Sequence, residues 1–352
     1  MMLIGVDPHK STSTATAVEP ESNREVASIR IEATLREYRR LLTWAGRWPE
    51  RRWAIENAEG LGRHLASWLL ARGEQVVDVS TNATARVRQL SRGGGRKNDR
   101  IDAAAAACVA ALQGDARQLE AEGAAEAIGV LDEQRANLSQ ARVRSVNQLH
   151  AVFRALLAGG APTGLTAGAA AALLRTVRPV GEVERVRKHI ASDLVAEIRS
   201  LDARLKGNAE VMAELVKASG STLEQTVGIG PVTAGRLIGR TGSPSRFPTP
   251  AAYAAYTGVA PIEVASGERS RHRLSRSGDR QLNATLHTIA VTQIRTAGSL
   301  GNIYYLTKIA ERKTPREARR CLKRRLANHI WRTMIADEKR QRAKTSNVAD
   351  AA

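Results

Sequence analysis

The stretch MLIGVDPHKSTSTATAV, residues 2–18, decides how this chain begins. Met2 to Val6 is an apolar run ended by Asp7, Pro8-His9-Lys10 is turn-prone, and Ser13–Val18 is rich in Thr, Ala and Val. The pattern predicts two strands joined by a short turn, with a carboxylate closing the first. Working outward, Glu25–Glu32 (EVASIRIE) alternates like a third strand. Thr34 to about Trp48 places Leu35, Tyr38, Leu41, Leu42 and Ala45 at helical spacing, with Thr34 suited to cap the helix. Arg52–Glu56 reads as a fourth strand, Leu61–Arg72 as a helix and Gln75–Ser80 as a fifth strand; helices follow.

Four acids give this segment its chemistry. Asp7 ends the first run, Glu56 ends Trp53-Ala54-Ile55, and Asp99 and Asp102 stand at the head of an alanine-rich helix. Aspartates at i and i+3 share one helix face, and carboxylates at strand ends can be brought to meet them. Anions packed together repel: two unit charges about 4 Å apart cost roughly 4 kcal/mol at an effective dielectric near 20. Divalent cations relieve that repulsion. Oxygen-only ligands point to Mg²⁺ or Mn²⁺, the ions of phosphoryl transfer. The order of elements matches a ribonuclease H-like α/β architecture, in which ligands gather at the carboxyl ends of strands.

Ser91-Arg92-Gly93-Gly94-Gly95-Arg96-Lys97 leads straight into Asp99. Its Arg92, Arg96 and Lys97 suit a phosphate-contacting loop, and an ordinary flexible connector explains it as well. From Ala124 to about Leu157 the chain reads as helix, basic from Glu133 onward and stopped by Gly159-Gly160-Ala161-Pro162. Val183 to about Val216 carries apolar residues at Val186, Ile190, Leu194, Ile198, Leu201, Leu205, Val211 and Leu215. This is a helical-hairpin or coiled-coil stripe, serving either a core or a dimer seam. Val227-Gly228-Ile229-Gly230-Pro231 precedes an apolar helix, Val232–Ile238. A Gly-x-Gly turn at a helix N-terminus bares backbone N–H groups suited to a DNA phosphate, as in a helix-hairpin-helix element, and makes Gly228 and Gly230 candidate contacts. The expected division is an α/β domain at 1–114, a helical or coiled-coil middle at 115–218, a mainly α C-terminal domain at 219–345 and a disordered tail at 346–352.

The 352 residues carry 54 Lys and Arg against 35 Asp and Glu, a formal charge of +19. Such an excess points to a polyanion partner, because each neutralised phosphate releases condensed counterions. Residues 311–345 concentrate it, with 13 Lys and Arg against 4 acids on a helical pattern. Cys108 and Cys321 are too few for a disulfide framework or a zinc site and fit a reducing cytoplasm. No signal peptide is apparent, and no uncharged apolar run approaches membrane-spanning length, so a soluble intracellular protein is expected.

The stretches IGVDPHK, AIENAEG and KNDRIDA resemble the metal-binding motifs of the DEDD transposases, the insertion sequence 110 family. Independently, TVGIGPVTAGRLIG, FPTPAAYAAYTGVAPIEVASGE and RLSRSGDRQL resemble that family's C-terminal transposase domain, so the likeness spans most of residues 2–290. The resemblance implies that Asp7, Glu56, Asp99 and Asp102 form the quartet of a Holliday-junction-resolvase-like domain and bind two divalent ions. Glu59 is a rival ligand to Glu56. It also implies that Ser266, in Ala265-Ser266-Gly267, is a nucleophile. The protein would then be a site-specific recombinase that moves an insertion sequence in the bacterial cytoplasm, associated with the nucleoid. Its partners would be donor and target DNA and a structured guide RNA encoded by the element. A homodimer or homotetramer is expected.

Read from its neighbours alone, Ser266 suits a turn or helix cap before Gly267. As a nucleophile its hydroxyl needs a base or a metal, and paired metals can clamp the attacking and leaving oxygens. A serine phosphodiester retains the energy of the broken bond, so rejoining needs no ATP. Arg269, Arg271, Arg273 and Arg276 could hold the scissile phosphate or form an exposed basic loop. The 164 residues from Asp102 to Ser266 let the two sites meet in one chain or across a dimer. Two other functions compete: a junction nuclease acting by hydrolysis, and a non-catalytic nucleic-acid-binding protein whose acids no longer hold metal.

Overall fold

The computed structural model describes residues 1–90, 98–112, 118–266, 269–274 and 278–349; of 90, 262–266, 269–274 and 344–349 it describes the backbone. The chain divides into two compact units, Met1–Glu122 and Gly123–Ala352.

The first unit is an α/β sheet domain. Strands β1 (Met2–Pro8), β2 (Thr12–Glu19) and β3 (Arg24–Glu32) form an antiparallel meander, followed by helix α1 (Leu35–Ala45), β4 (Arg51–Glu56), α2 (Arg63–Leu70) and β5 (Val76–Val79). The sheet order is β3-β2-β1-β4-β5, with β4 and β5 parallel to β1. Helices α3 (Thr81–Leu90) and α4 (Asp99–Leu112) complete it. Thr34 caps α1 as expected, accepting from the Glu37 amide at 3.3 Å.

Side chains alternate across a strand, and the alternation sorts this sheet into two faces. Ile4, Val6, Ala15, Ala17, Trp53 and Ile55 pack with Tyr38 and Leu41 of α1 and Leu65 and Leu69 of α2. The opposite face takes Ala54, Val77 and Val79 against Ala106 and Val109 of α4, and Leu3 and Val18 against Ala107. Gly5 belongs to this second face. A Cβ placed there would lie 1.8 Å from the Ala103 carbonyl oxygen and 2.7 Å from the Ala107 nitrogen, so α4 lies directly on the β1 backbone. The alanine-rich sequence of α4 is what makes that approach possible.

The second unit is mostly helical. Helix α5 (Ala124–Leu156, 33 residues) is followed by α6 (Ala167–Thr176) and α7 (Glu182–Ala218, 37 residues). Arg142 pairs with Asp202, Arg135 donates to the Leu205 carbonyl, and Asn208 donates to the Leu131 carbonyl. Partner numbers fall on one helix as they rise on the other, so α5 and α7 run antiparallel. At one end Leu149 and Phe153 enclose a core with Leu174 of α6 and Leu194, Val195 and Ile198 of α7. At the other, Ile128, Met212 and Val216 join the core of the C-terminal elements. The stripe read in the sequence is thus partly core, through Leu194, Ile198 and Leu201, while Val183, Val186 and Ile190 are exposed.

The C-terminal elements are a 3-10 turn (Leu223–Gln225), α8 (Pro231–Thr241), α9 (Pro250–Tyr256), the antiparallel hairpin β6 (Pro261–Ser266) and β7 (Arg269–Leu274), α10 (Arg280–Arg295), α11 (Leu300–Ala310) and α12 (Pro315–Ala349). Their core holds Leu237, Tyr253, Leu282, Leu286, Ile289, Leu322, Leu326 and Ile330. Asp132 of α5, 1% exposed, accepts from Arg236 at 2.7 Å and from Arg240 at 2.8 Å. Among the described residues, no helix is long and apolar enough to cross a membrane.

Candidate active site

The sheet register brings the two strand-terminal acids side by side. β1 and β4 pair in parallel through Val6 and Ile55, so Asp7 and Glu56, one residue further on, close neighbouring strands at the same edge. By alternation they share the face of Gly5 and Ala54, which is the face α4 covers. Helix α4 then delivers the other two acids, because Asp99 and Asp102 occupy its first turn. Anionic side chains are favoured at that end of a helix. The Asn98 side chain accepts from the Arg100 amide at 2.9 Å, and the Thr16 hydroxyl donates to the Arg100 carbonyl at 3.3 Å, tying this first turn to β2.

The acids converge, with different partners. One potential ligand atom from each of Asp7, His9 and Asp99 lies within 4.8 Å of the others. His9 stands between the two aspartates, Nδ1 3.7 Å from Asp7 and Nε2 3.8 Å from Asp99, and Arg30 lies 3.5 Å from Asp99. Glu56 and Asp102 are outside this closest group. Glu56 accepts from the buried Thr84 hydroxyl at 3.0 Å, and Asp102, 5% exposed, pairs with Arg88 at 2.5 Å. Both still act on Asp7. Burial raises the Asp7 carboxyl to about 6, opposed by His9 and reinforced by Glu56, Asp102 and Asp99.

This donor set can hold a divalent cation. Oxygen donors around an octahedral ion at 2.0–2.1 Å stand roughly 3 Å apart, so the Asp7–His9–Asp99 group needs only a small contraction. Asp7, 9% exposed, is already desolvated, which is where a cation offsets the most repulsion. His9 is the site residue that sequence reading missed. Its place in a Pro-His-Lys turn looked like punctuation, and only the return of α4 puts Asp99 beside it. Arg88 and Thr84 were missed too, because α3 offers little beyond Ala83, Val87 and Leu90 as apolar positions among polar residues. Glu59, the rival to Glu56, is exposed on the turn after β4.

Arg92, Arg96, Lys97 and Arg276, with tail residues 350–352, lie outside the described residues. Ser266 is the last residue of β6, paired in register with Arg269, so it ends a strand where a helix cap was one expectation. Arg271 and Arg273 follow on β7 in register with Val264 and Ile262. Gly228 adopts φ +87°, and Gly230 precedes Pro231 at the start of α8.

Comparison with known proteins finds two family models in sequence along the chain. Residues 4–157 match the model of a DEDD transposase family, and residues 220–305 match the transposase IS116/IS110/IS902 family. A 44.8 kDa protein of insertion element IS116 from Streptomyces clavuligerus is 24% identical over 387 residues, covering 96% of this chain and 95% of that protein. A transposase candidate of Sinorhizobium fredii, y4pF/y4sB, is 28% identical over 164 residues, covering 44% of this chain and 42% of that protein. Among solved structures, Thermus thermophilus RuvC in complex with Holliday junction substrate matches 34% of this chain and 99% of its own, at 15% identity and a TM-score of 0.27. Two family models in sequence, one over the converging acids and one over the C-terminal elements, together with the IS116 relative, support a DEDD transposase enzyme similar to the IS116/IS110/IS902 family.

Proposed function

We propose that this transposase is a site-specific DNA recombinase that cuts and rejoins strands through Ser266, with divalent metal held by Asp7, Glu56, Asp99 and Asp102 of a ribonuclease H-like domain. One observation carries the reading: strand ends from β1 and β4 and the first turn of α4 turn their carboxylates to one face. Bound there, Mg²⁺ or Mn²⁺ ions supply Lewis-acid polarisation of a phosphoryl oxygen and offset charge gathering in the transition state. The chain's own residues do the rest. The Ser266 hydroxyl attacks phosphorus, one sugar–oxygen–phosphorus bond breaks, and the departing sugar oxygen takes up the proton that serine gives up. The serine diester then stands in for the broken bond, and attack by another sugar hydroxyl reverses the exchange. Arg30 partly neutralises Asp99, His9 stands beside it, Thr84 orients Glu56, and Arg88 balances Asp102. Arg269, Arg271 and Arg273 flank the serine in sequence and suit the scissile phosphate, and the Gly228–Gly230 turn before α8 suits a further one. Donor and target DNA are the substrates, a structured RNA is the guide, and a dimer or tetramer is the assembly.

Ser266→Ala tests the nucleophile. The variant is expected to bind DNA, to form no protein–DNA adduct on denaturing gels and to exchange no strands. If Ser266→Ala recombines, the serine assignment is wrong. If wild type cleaves with no adduct, metal-activated water is the nucleophile and the protein is a hydrolytic nuclease.

A further inference from the structure

Several partly buried cations of this chain face carboxylates. Arg51 has Glu74, Arg88 has Asp102, and Arg236 and Arg240 share Asp132. Lys323, half-buried on α12, does not. Among the described residues its ammonium donates to one neutral acceptor, the Asn283 Oδ1 at 2.5 Å. That acceptor is aimed, because the Asn283 amide nitrogen donates to the Gly258 carbonyl at 2.7 Å and leaves its oxygen for α12. Arg319 stands one turn before Lys323 on α12, and His287 one turn after Asn283 on α10, so each pair shares a helix face.

The charges here have one sign. Burial, then Arg319, holds Lys323 below the ordinary lysine range; burial, then Lys323 and Arg319, holds His287 below the ordinary histidine range. No carboxylate of the described residues offsets them. Such a cluster costs stability when empty and is relieved by an anion with several oxygens.

Its location narrows the anion. Gly258 and Gly278 are the feet of the β6–β7 hairpin. They approach so closely that a Cβ on Gly278 would lie 2.6 Å from the Gly258 nitrogen, and the Asp279 amide donates to the Tyr256 carbonyl at 2.7 Å. Asn283 therefore joins the cationic cluster to the base of the hairpin that ends β6 at Ser266. Before Lys323, Arg316 and Arg320 stand seven and three positions back on the same side of α12 and add further exposed cations, as a backbone-tracking surface requires.

We propose that Asn283, His287, Arg319 and Lys323 form a phosphodiester-binding site that grips a nucleic-acid backbone at the foot of the β6–β7 hairpin. The proposal rests on the transposase reading for the class of ligand alone; it uses neither the metal site nor Ser266.

The test measures anisotropy of labelled duplex DNA and of a labelled RNA hairpin, each titrated with full-length wild type, Arg319→Gln and Lys323→Met over a salt series. Each substitution is expected to weaken binding roughly tenfold at moderate salt and to lower the slope of log affinity against log salt by about one. Loss in the DNA arm alone assigns the site to DNA, loss in the RNA arm alone to RNA, and loss in both to a backbone site they share. Lys323→Met removes a half-buried cation that has no ion-pair partner among the described residues, so its ligand-free melting temperature is expected to equal or exceed that of wild type. Should it unfold, Arg319→Gln, which leaves the Lys323–Asn283 contact intact, carries the test. Wild-type affinity and slope in both arms for the folded variants overturn the proposal. Because binding is read rather than strand exchange, this site and the recombinase reading fail separately.

Discussion

Asp7→Asn should stabilise the metal-free protein while removing its metal binding. Asp7 is 9% exposed and its carboxyl is raised from 3.8 to about 6, by burial first and then by Glu56, Asp102 and Asp99, against His9. A raised acid disfavours the folded state once it ionises. Below pH 4 both states are protonated and no penalty exists. Between 4 and 6 the unfolded chain ionises first and stability falls with rising pH; above 6 the penalty is complete. About two units at about 1.4 kcal/mol each give roughly 3 kcal/mol above pH 7 and about half of that at pH 5. Asparagine keeps the volume and removes the charge. The variant is therefore expected to exceed wild type by about 2–3 kcal/mol at pH 8 in a chelator, with a smaller excess at pH 5.

Denaturant unfolding followed by tryptophan fluorescence suits this measurement, because Trp44, Trp48, Trp53 and Trp68 all lie in the first unit and Trp331 alone in the second. Saturating Mn²⁺ should reverse the order: binding to the folded state at a thousand times the dissociation constant adds about 4.1 kcal/mol to wild type, more than the variant's excess, and little to the variant. Equal stability of the two proteins at pH 8 without metal, or an excess that does not change with pH, would refute the reasoning.

Other perturbations test the scaffold. Gly5→Ala forces a methyl group into the Ala103 carbonyl and the Ala107 nitrogen; it should cost about 1–3 kcal/mol by denaturant unfolding and weaken Mn²⁺ binding by calorimetry, since α4 carries Asp99 and Asp102. Asp132→Ala leaves Arg236 and Arg240 half-buried without their shared carboxylate, a loss of about 3–5 kcal/mol expected in the second unit, readable by Trp331 fluorescence.

The local sequence by itself determined most elements and the identity of the acids. The apolar runs of β1 and β4, the alternation of β3, the Thr34 cap and the alanine run of α4 each express a preference that a short segment satisfies alone. The runs of α5 and α7 were equally legible, since an amphipathic stripe over 33 or 37 residues has little else to become. Segments without such a stripe went unread. Helix α3 is mostly polar, α6 is apolar nearly all round, and in β7 arginines alternate with Ser270 and His272, a pattern that reads as a basic loop as readily as a strand.

Tertiary structure decided what those elements meet. Alternation puts Asp7 and Glu56 on a common face, but only the packing of α4 on Gly5 makes that face the site. The same packing brings Asp99 to His9 and leaves Asp102 to Arg88, contacts 90 and 14 residues apart along the chain. Local propensity carries no information about such pairs. Their burial, and the charge repulsion it magnifies, exists only once β1, β4 and α4 have closed on one another.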